Sequence, residues 1–350
     1  MKFDPTTTVS SEYGIFGLPF TEEEAKVVLV PVPWEVTTSY GAGTSLGPAL
    51  IRQASEQIDL FDLETGKAYE NGYHMQAQQE WLLKLNNEMK KKAQKLIGMV
   101  TDLSDDTKKM DEIRKEVNEA SDKMSQWVYE NCLSLLKKGK VVGLVGGDHS
   151  TPLGNLRAHS EYYKGQDWAV LHIDAHADLR KAYQGFTQSH ASIMYNLMTS
   201  DFKPTKLVQL GIRDFCEEEF DFIQSRDDIK TYFDLDIKKH LLQGQTWHEF
   251  CGSLVHELPK NVYLSFDIDG LDPVYCPRTG TPVIGGLSVD QVFYLFSQLA
   301  EAGKKIIGFD LNEVSTGGLP LDEADEWDGN VGARILYKMC GWAMKTRSHP

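Results

Sequence analysis

The stretch WAVLHIDAHADLR, residues 168–180, passes from an apolar run into polar side chains at every second position. WAVLHI has the composition of a strand that is buried on both faces. Beyond it, Asp174, His176 and Asp178 fall on the same side if the chain stays extended. Because an unpaired buried carboxylate loses its hydration at a high cost, this strand end predicts a bound cation.

Composition limits the classes of protein and partner to consider. The 350 residues suffice for one large α/β domain or two smaller ones. A formal net charge of -15 argues against nucleic acid and anionic membranes as partners and is compatible with a cationic substrate. There is no apolar run of about 18 residues, the N-terminal MKFDPTTTVSSEYG lacks the apolar core of a signal peptide, and the five cysteines are scattered. We therefore expect a cytoplasmic protein with reduced cysteines and no membrane span.

Short apolar runs alternate with amphipathic stretches from Val27 onward, which favours a doubly wound, mostly parallel α/β sheet. After SVDQ, for example, apolar residues recur with the spacing of one helical face. The predicted strands are VVLVPVP (27–33), VVGLVGG (141–147), WAVLHIDAH (168–176), KLVQLGIR (206–213), NVYLSFDID (261–269) and KIIGFDLNEV (305–314).

One region departs from this alternation. Residues 75–137 read as two long polar helices separated by TDLSDDT, each with a narrow apolar stripe. We interpret them as a helical hairpin inserted into a single domain of residues 1–350. Packing against the main body is the simpler role for the hairpin, and a part in subunit contact or in covering the site is the alternative.

Ligands of doubly wound sheets bind beyond the carboxyl ends of the strands, so polar residues at several strand ends should converge. GGDHS follows one predicted strand, DAHAD a second and DIDGLDP a third. Together these motifs supply two histidines and four aspartates as metal-ligand candidates: His149, Asp174, His176, Asp178, Asp267 and Asp269.

Imidazole and carboxylate without thiolate favour Mn, Fe, Co, Ni or Zn. Six ligands suit two ions about 3.5–4 Å apart, which would lower the pKa of a bridging water and hold hydroxide at neutral pH. A single DxHxD is a weak signal, and the two further motifs make it strong. His172 alternates with Asp174, but we interpret it as a core histidine or one that supports a ligand.

These motifs, with YGAGTSLGPALIRQAS (40–55) and TGTPVIGGLS (279–288), resemble the ureohydrolase family of arginases, agmatinases and related amidinohydrolases. The resemblance runs from about Val27 to the C-terminus and excludes the helical insertion. It implies the arginase-type three-layer α/β/α fold and an oligomer, usually a trimer or hexamer.

The resemblance also implies the ligands of each ion. One ion would be held by His149, Asp174, Asp178 and Asp267. The second would be held by Asp174, His176, Asp267 and Asp269, so that Asp174 and Asp267 bridge the pair.

Three further residues match family positions. His190 in QSHAS matches a histidine that helps proton transfer, and Glu313 in DLNEVS matches a carboxylate that pairs with the substrate's guanidinium. Thr281 lies in a matching loop, where a functional and a purely structural role stay equally open. The implied reaction is attack of a metal-bridging hydroxide, aligned by the metals and Asp178, on the guanidinium carbon, which releases urea and an amine.

Agmatine, hydrolysed to putrescine and urea in polyamine metabolism, is the leading substrate. Arg180 stands where arginases typically carry asparagine, and Cys216 near the place of an acidic residue, so groups for an amino acid's α-carboxylate and α-amino ends are missing. Arg180 could instead pair with a carboxylate, which keeps guanidinobutyrate and other guanidino acids open, along with arginine and free guanidine.

Two other classes of protein remain as alternatives. A deacetylase-like amide hydrolase would use one zinc and leave several ligands without a purpose. A non-catalytic metal-binding relative would be expected to lose ligands, whereas all six are present. Mn²⁺ is the expected metal, with Ni²⁺, Co²⁺ or Fe²⁺ as alternatives.

Overall fold

The protein, analysed as a computed structural model, is described over residues 14–348, with the side chain of Ser348 left out. Its centre is one sheet of eight strands, all parallel, in the order β2-β1-β3-β8-β7-β4-β5-β6. The strands are β1 (Val27–Val32), β2 (Tyr73–Met75), β3 (Val141–Gly146), β4 (Trp168–Ile173), β5 (Lys206–Ile212), β6 (Ile229–Phe233), β7 (Asn261–Asp267) and β8 (Lys305–Asn312).

Helices cover both faces of this sheet, because successive residues of each strand point to opposite sides. In β1, Val27 and Leu29 belong to one apolar core and Val28 and Val30 to another. The helices are α1 (Gly47–Ala54), α2 (Glu80–Thr101), α3 (Thr107–Lys137), α4 (Leu153–Tyr162), α5 (Ile193–Thr199), α6 (Glu217–Gln224), α7 (Asp234–Leu242), α8 (Trp247–His256), α9 (Val289–Glu301) and α10 (Trp327–Ser348). The first core contains residues of α1 and α7–α10, and residues of α2–α6 pack on the opposite face. The three-layer α/β/α prediction is confirmed.

All six predicted strands are present, and the sequence analysis missed two. Both missed strands lie at the edges of the sheet. β2 has three residues, and β6 has the sequence IKTYF with only Ile229 buried. An edge strand makes fewer buried contacts, so its sequence carries a weaker apolar signal than a central strand does.

The helices α2 and α3 form the predicted hairpin, and α2 starts at Glu80 rather than near residue 75. The preceding residues are extended because Tyr73–Met75 pair with β1 and the Gln76 N–H donates to the Leu29 carbonyl at 2.9 Å. That the whole chain is one domain stays a prediction, and residues 1–13 and 349–350 lie outside the described range. So does most of the N-terminal stretch used to argue against a signal peptide. None of the described helices is both long enough and apolar enough to cross a membrane.

His159 on α4 gives the fold a testable pH dependence. The imidazole is fully buried, its Nδ1 lies 2.9 Å from the Asn155 carbonyl oxygen, and burial lowers the pKa of His159 to about 4. Below pH 6.5 the unfolded chain binds a proton at this position that the folded chain does not bind. Stability should therefore fall between pH 6.5 and pH 4, with His159 contributing up to about 3 kcal/mol of the loss.

The matched variant is His159→Gln, which stays neutral across this range. Urea unfolding of both proteins between pH 7 and pH 4 should give a shallower decline for the variant. Parallel declines would contradict the assignment of this acid sensitivity to His159.

Candidate metal centre

The candidate metal ligands follow three strands, β3, β7 and β4, which together with β8 are neighbours at the centre of the sheet. His149 lies after β3, Asp174 after β4, and Asp267 is the last residue of β7. Because all four strands are parallel, their carboxyl ends meet at one edge of the sheet. The fold therefore brings together residues that are far apart in the sequence.

The first cluster surrounds Nδ1 of His149. This atom lies 3.0 Å from Asp174 Oδ2, 3.2 Å from Asp267 Oδ2 and 3.5 Å from Asp178 Oδ2. All four side chains are at most 5% exposed. One imidazole nitrogen and three carboxylates form a set of ligand atoms that can hold a divalent metal ion.

The second cluster surrounds Nδ1 of His176. This nitrogen lies 3.1 Å from Asp269 Oδ2 and 3.5 Å from Asp174 Oδ1. Asp174 uses a different oxygen in each cluster, so its carboxylate stands between His149 and His176. Such a carboxylate can bridge two ions, as the sequence analysis expects of Asp174.

Backbone N–H groups fix the orientation of these carboxylates. His176 N donates to Asp174 Oδ1 at 2.6 Å, and Asp269 N donates to Asp267 Oδ1 at 2.9 Å. In both pairs an aspartate accepts from the residue two positions later, which is a local turn typical of aspartate. Ala175 N donates to Asp269 Oδ1 at 3.1 Å and joins the two motifs. The two-residue spacing in DAHAD and DID therefore places a backbone N–H where it orients the carboxylate of each candidate ligand.

Backbone strain also coincides with the candidate site. Asp178 has φ of 54° and Glu313 has φ of 63°, in a region that non-glycine residues seldom adopt. Strain of this kind persists where the surrounding structure holds it and is concentrated at functional sites.

The electrostatics of the clusters show an excess of buried negative charge. Burial, followed by repulsion from Asp174, raises the pKa of Asp178 well above its usual range. Burial and Asp269 do the same for the pKa of Asp267. For Asp174 the neighbouring histidines overcome burial and hold its pKa well below the usual range. Divalent ions would remove this repulsion, so the charges of the site fit the two cations expected from the sequence.

His172 contacts Asp174, one of the candidate ligands. Its Nε2 lies 2.7 Å from Asp174 Oδ2, while Gln209 Nε2 donates to its Nδ1 at 3.0 Å. Thr231 donates in turn to Gln209 Oε1 at 2.8 Å, which orients the amide. With Nδ1 accepting, Nε2 carries the proton and donates to Asp174. Ligand atoms of His172 also lie within 4.8 Å of those of His149, Asp174 and Asp178.

A cavity of about 150 Å³ opens over the two clusters. His190, Glu313 and Thr281 line it, together with His149, His176, Asp178 and Asp267. Glu313 is 6% exposed and accepts from the backbone N–H of His149 at 2.9 Å. Burial, then repulsion from Asp267, raises the pKa of Glu313 well above its usual range. A buried carboxylate at the cavity wall is suited to receive a cationic group.

The imidazole of His190 is partly buried and also lines the cavity. Its Nδ1 lies 3.3 Å from Thr37 Oγ1, and burial, with the neighbouring His176 and His149, lowers the pKa of His190 to about 4. The imidazole is therefore neutral at neutral pH. In that state one ring nitrogen can accept a proton.

Several lining residues were not predicted as site residues, namely Ser39, Tyr40, Tyr183, Asp214, Phe215 and Glu219. Glu219 lies on α6 and the others lie on loops, and these segments carry no metal-ligand or nucleophile pattern, so only their position reveals them. Cys216 is the N-cap of α6, and its backbone N–H donates to Glu219 Oε2 at 2.9 Å.

Comparison with known proteins places this geometry in context. The family model described as "Arginase family" matches residues 25–341. An N(1)-aminopropylagmatine ureohydrolase of Thermus thermophilus is 33% identical over 311 residues, covering 87% of this chain and 88% of the relative. An agmatinase of Photorhabdus laumondii is 31% identical over 340 residues, covering 95% and 92%.

Solved structures support the fold. The agmatine ureohydrolase of Thermoplasma volcanium superposes with a TM-score of 0.70 at 23% identity, covering 95% of this chain and 94% of the other. The proclavaminate amidino hydrolase of Streptomyces clavuligerus also gives 0.70, at 21% identity, covering 97% and 100%. At these identities the likeness concerns the fold alone.

Proposed function

We propose that this chain, which belongs to the arginase family, hydrolyses a small guanidino compound to urea and an amine. Agmatine is the leading substrate, with putrescine as the amine. The observation that carries this proposal is the pair of buried His/Asp clusters that share Asp174 beneath a cavity lined by Glu313. The relatives named as agmatinase and aminopropylagmatine ureohydrolase support the same reaction.

The enzyme is metal-dependent as a member of this family, and its buried oxygen and nitrogen donors fit two divalent ions. We assign one ion to His149, Asp174, Asp178 and Asp267, and the other to Asp174, His176, Asp267 and Asp269. When bound, such a pair would lower the pKa of a water molecule and so supply hydroxide at neutral pH. Mn²⁺ is the proposed metal, with Ni²⁺, Co²⁺ and Fe²⁺ as competitors that the donor set also accepts.

Three side chains of the cavity have separate roles in the proposal. Glu313 accepts two N–H groups of the substrate guanidinium and fixes its carbon over the clusters. Asp178 holds the attacking water in line with that carbon. His190, which is neutral at neutral pH, can accept a proton from the attacking water and then donate it to the departing amine.

Charged side chains that line the cavity indicate which charge the substrate carries at the end away from its guanidinium. Nε of Arg180 lies 3.5 Å from Glu219 Oε2, and the guanidinium lies over the Tyr183 ring. The positive charge of Arg180 is therefore already matched, whereas the side chain of Asp214 is 68% exposed and its carboxylate lies 3.8 Å from Nε2 of His176, which is charged only when protonated. This arrangement favours a cationic tail, such as the amine of agmatine or of N(1)-aminopropylagmatine, over the carboxylate of a guanidino acid.

We also propose an oligomeric state and a cellular location for the protein. We propose a homo-oligomer, a trimer or hexamer, on the family resemblance alone. The five cysteines are free and four of them are buried, which supports the proposal of a reducing, cytoplasmic location.

The test is urea release from a panel of guanidino compounds, with the metal removed by chelation and then restored as Mn²⁺, Ni²⁺, Co²⁺ or Fe²⁺. We expect the highest kcat/KM for a cationic substrate, by about tenfold or more over guanidinobutyrate. Arginine and free guanidine complete the panel.

Three outcomes separate the alternatives. Urea from guanidinobutyrate at the highest kcat/KM would overturn the assignment of a cationic substrate but not the reaction. No urea from any compound with any metal would favour a non-catalytic relative, and amide hydrolysis without urea would favour a deacetylase-like enzyme.

A further inference from the structure

Two loops form one side of the active-site cavity. The β1 loop, residues 33–46, contributes Ser39 and Tyr40, and the His190 loop, residues 180–190, contributes Tyr183 and His190. The loops meet each other there: Thr37 Oγ1 lies 3.3 Å from His190 Nδ1, and Ser39 Oγ lies 3.4 Å from Tyr183 OH. The two loops therefore contact each other through these two pairs of side chains.

The helix α2 holds the β1 loop through Glu35. The Glu35 N–H donates to Asn86 Oδ1 at 2.8 Å, and Lys90 Nζ forms an ion pair with Glu35 Oε1. The other carboxylate oxygen, Oε2, accepts from Gly43 N at 2.7 Å and Ser45 N at 3.1 Å. Because the Glu35 side chain is only 7% exposed, Lys90 supplies the opposite charge that this buried carboxylate requires.

The helix α3 holds the His190 loop from residues spaced four apart, which lie on one helix face. Asn118 Oδ1 accepts from Thr187 N at 3.1 Å, and Asp122 Oδ1 accepts from the Gln188 amide at 3.0 Å. One turn earlier, Arg114 lies against Gly185, where a Cβ atom would stand 2.3 Å from Arg114 Nε. Glycine at 185 also supplies the φ of 88° that the loop adopts there.

Apolar packing joins both loops to the same helices. Val36 of the β1 loop and Phe186 of the His190 loop are fully buried. Both belong to the core that contains Met89 of α2 and Val117 of α3. The hairpin is therefore attached to each loop by polar contacts and by a buried apolar side chain.

We propose that the helical hairpin α2–α3 is a positioning element of the active site. Lys90 and Asn86 set the loop that lines the cavity with Ser39 and Tyr40, and Asn118 and Asp122 set the loop that carries His190. This inference rests on the proposed function, since it assigns the two loops to substrate binding and proton transfer respectively. It gives the inserted helices a role beyond covering the sheet.

The test uses one variant on each helix of the full-length enzyme. Lys90→Met should raise KM about tenfold with a smaller change in kcat, because it loosens the loop that lines the cavity. Asn118→Ala should lower kcat about tenfold with a smaller change in KM, because it displaces His190. Lys84→Met is the matched control on α2, since its ion pair with Glu80 is exposed. Asn118→Asp, which keeps the acceptor oxygen, should restore kcat.

Hydrogen exchange gives a readout that is independent of catalysis. Amide exchange should rise at Gly43 and Ser45 in Lys90→Met, and at Thr187 in Asn118→Ala, by about tenfold or more. Each change should be confined to its own loop, with metal content unchanged. If Lys90→Met fails to fold, Asn118→Ala tests the same inference on the other helix.

The outcomes separate this inference from the proposed function. Unchanged exchange in both loops, or unchanged kinetic constants in an active enzyme, would contradict the role of the hairpin and leave the reaction intact. A wild-type enzyme that releases no urea would contradict the proposed function, while the exchange data would still report whether the hairpin holds the loops.

Discussion

Replacing Asp174 by asparagine should remove metal binding at both clusters and lower urea release by at least about 1,000-fold. The reason is its central position: Oδ2 lies 3.0 Å from His149 Nδ1, and Oδ1 lies 3.5 Å from His176 Nδ1. An asparagine amide keeps the volume but offers one neutral oxygen in place of two charged ones. The two ions could then no longer share this side chain as a common ligand.

Metal-dependent stability provides the second measurement of this variant. A ligand that binds only the folded state stabilises it by about 2.7 kcal/mol at 100 times its Kd. Manganese should therefore raise the Tm of the wild type and leave that of Asp174→Asn unchanged, while elemental analysis finds the variant depleted in metal. Asp167→Asn is the matched control, because Asp167 precedes the opposite end of the same strand and is exposed. Two ions per chain in Asp174→Asn would refute the shared ligand.

Replacing Glu313 by glutamine should lower kcat/KM about 100-fold, equivalent to about 3 kcal/mol, while the metal content stays at the wild-type level. The Glu313 carboxylate is buried beside Asp267, and burial and this neighbour raise its pKa well above the usual range. A substrate guanidinium would compensate that charge with two forked hydrogen bonds, which an amide can match only in part.

The retained metal distinguishes this variant from Asp174→Asn. Its unfolding free energy without substrate should equal or exceed that of the wild type, since a neutral amide is less costly to bury than a carboxylate. Glu326→Gln, on the exposed surface, is the control for a general loss of charge. An unchanged kcat/KM in Glu313→Gln would remove this residue from the proposed substrate contact.

Two carboxylates of the site combine buried charge with an unusual backbone conformation. Asp178 and Glu313 both have positive φ, and both are carboxylates whose pKa is raised by burial and by other carboxylates. Holding these two carboxylates in place lowers the free energy of unfolding of the metal-free protein. Cations and substrate would relieve that destabilisation, so we expect binding of metal and substrate to be coupled to stability.

The central sheet and the metal-ligand candidates follow from local sequence. Buried strands carry continuous apolar runs such as VVLVPV and WAVLHI, and the ligands stand within a few residues of the strands' carboxyl ends. Parallel strands place those ends at one edge of the sheet, regardless of the conformation of the loops that follow them. For this reason GGDHS, DAHAD and DID together predicted that these side chains lie close to one another, although not the distances between them.

The edge strands, the cavity wall and the contacts of the hairpin were decided by the tertiary structure. Lys90 stands in a run of three lysines, and Asn118 in a polar helix, so in the sequence both resemble solvated residues. Their partners, Glu35 and Thr187, lie 55 and 69 residues away along the chain. A hydrogen bond or ion pair of that span leaves no periodicity in the sequence, because it depends on how packed helices and loops meet in space.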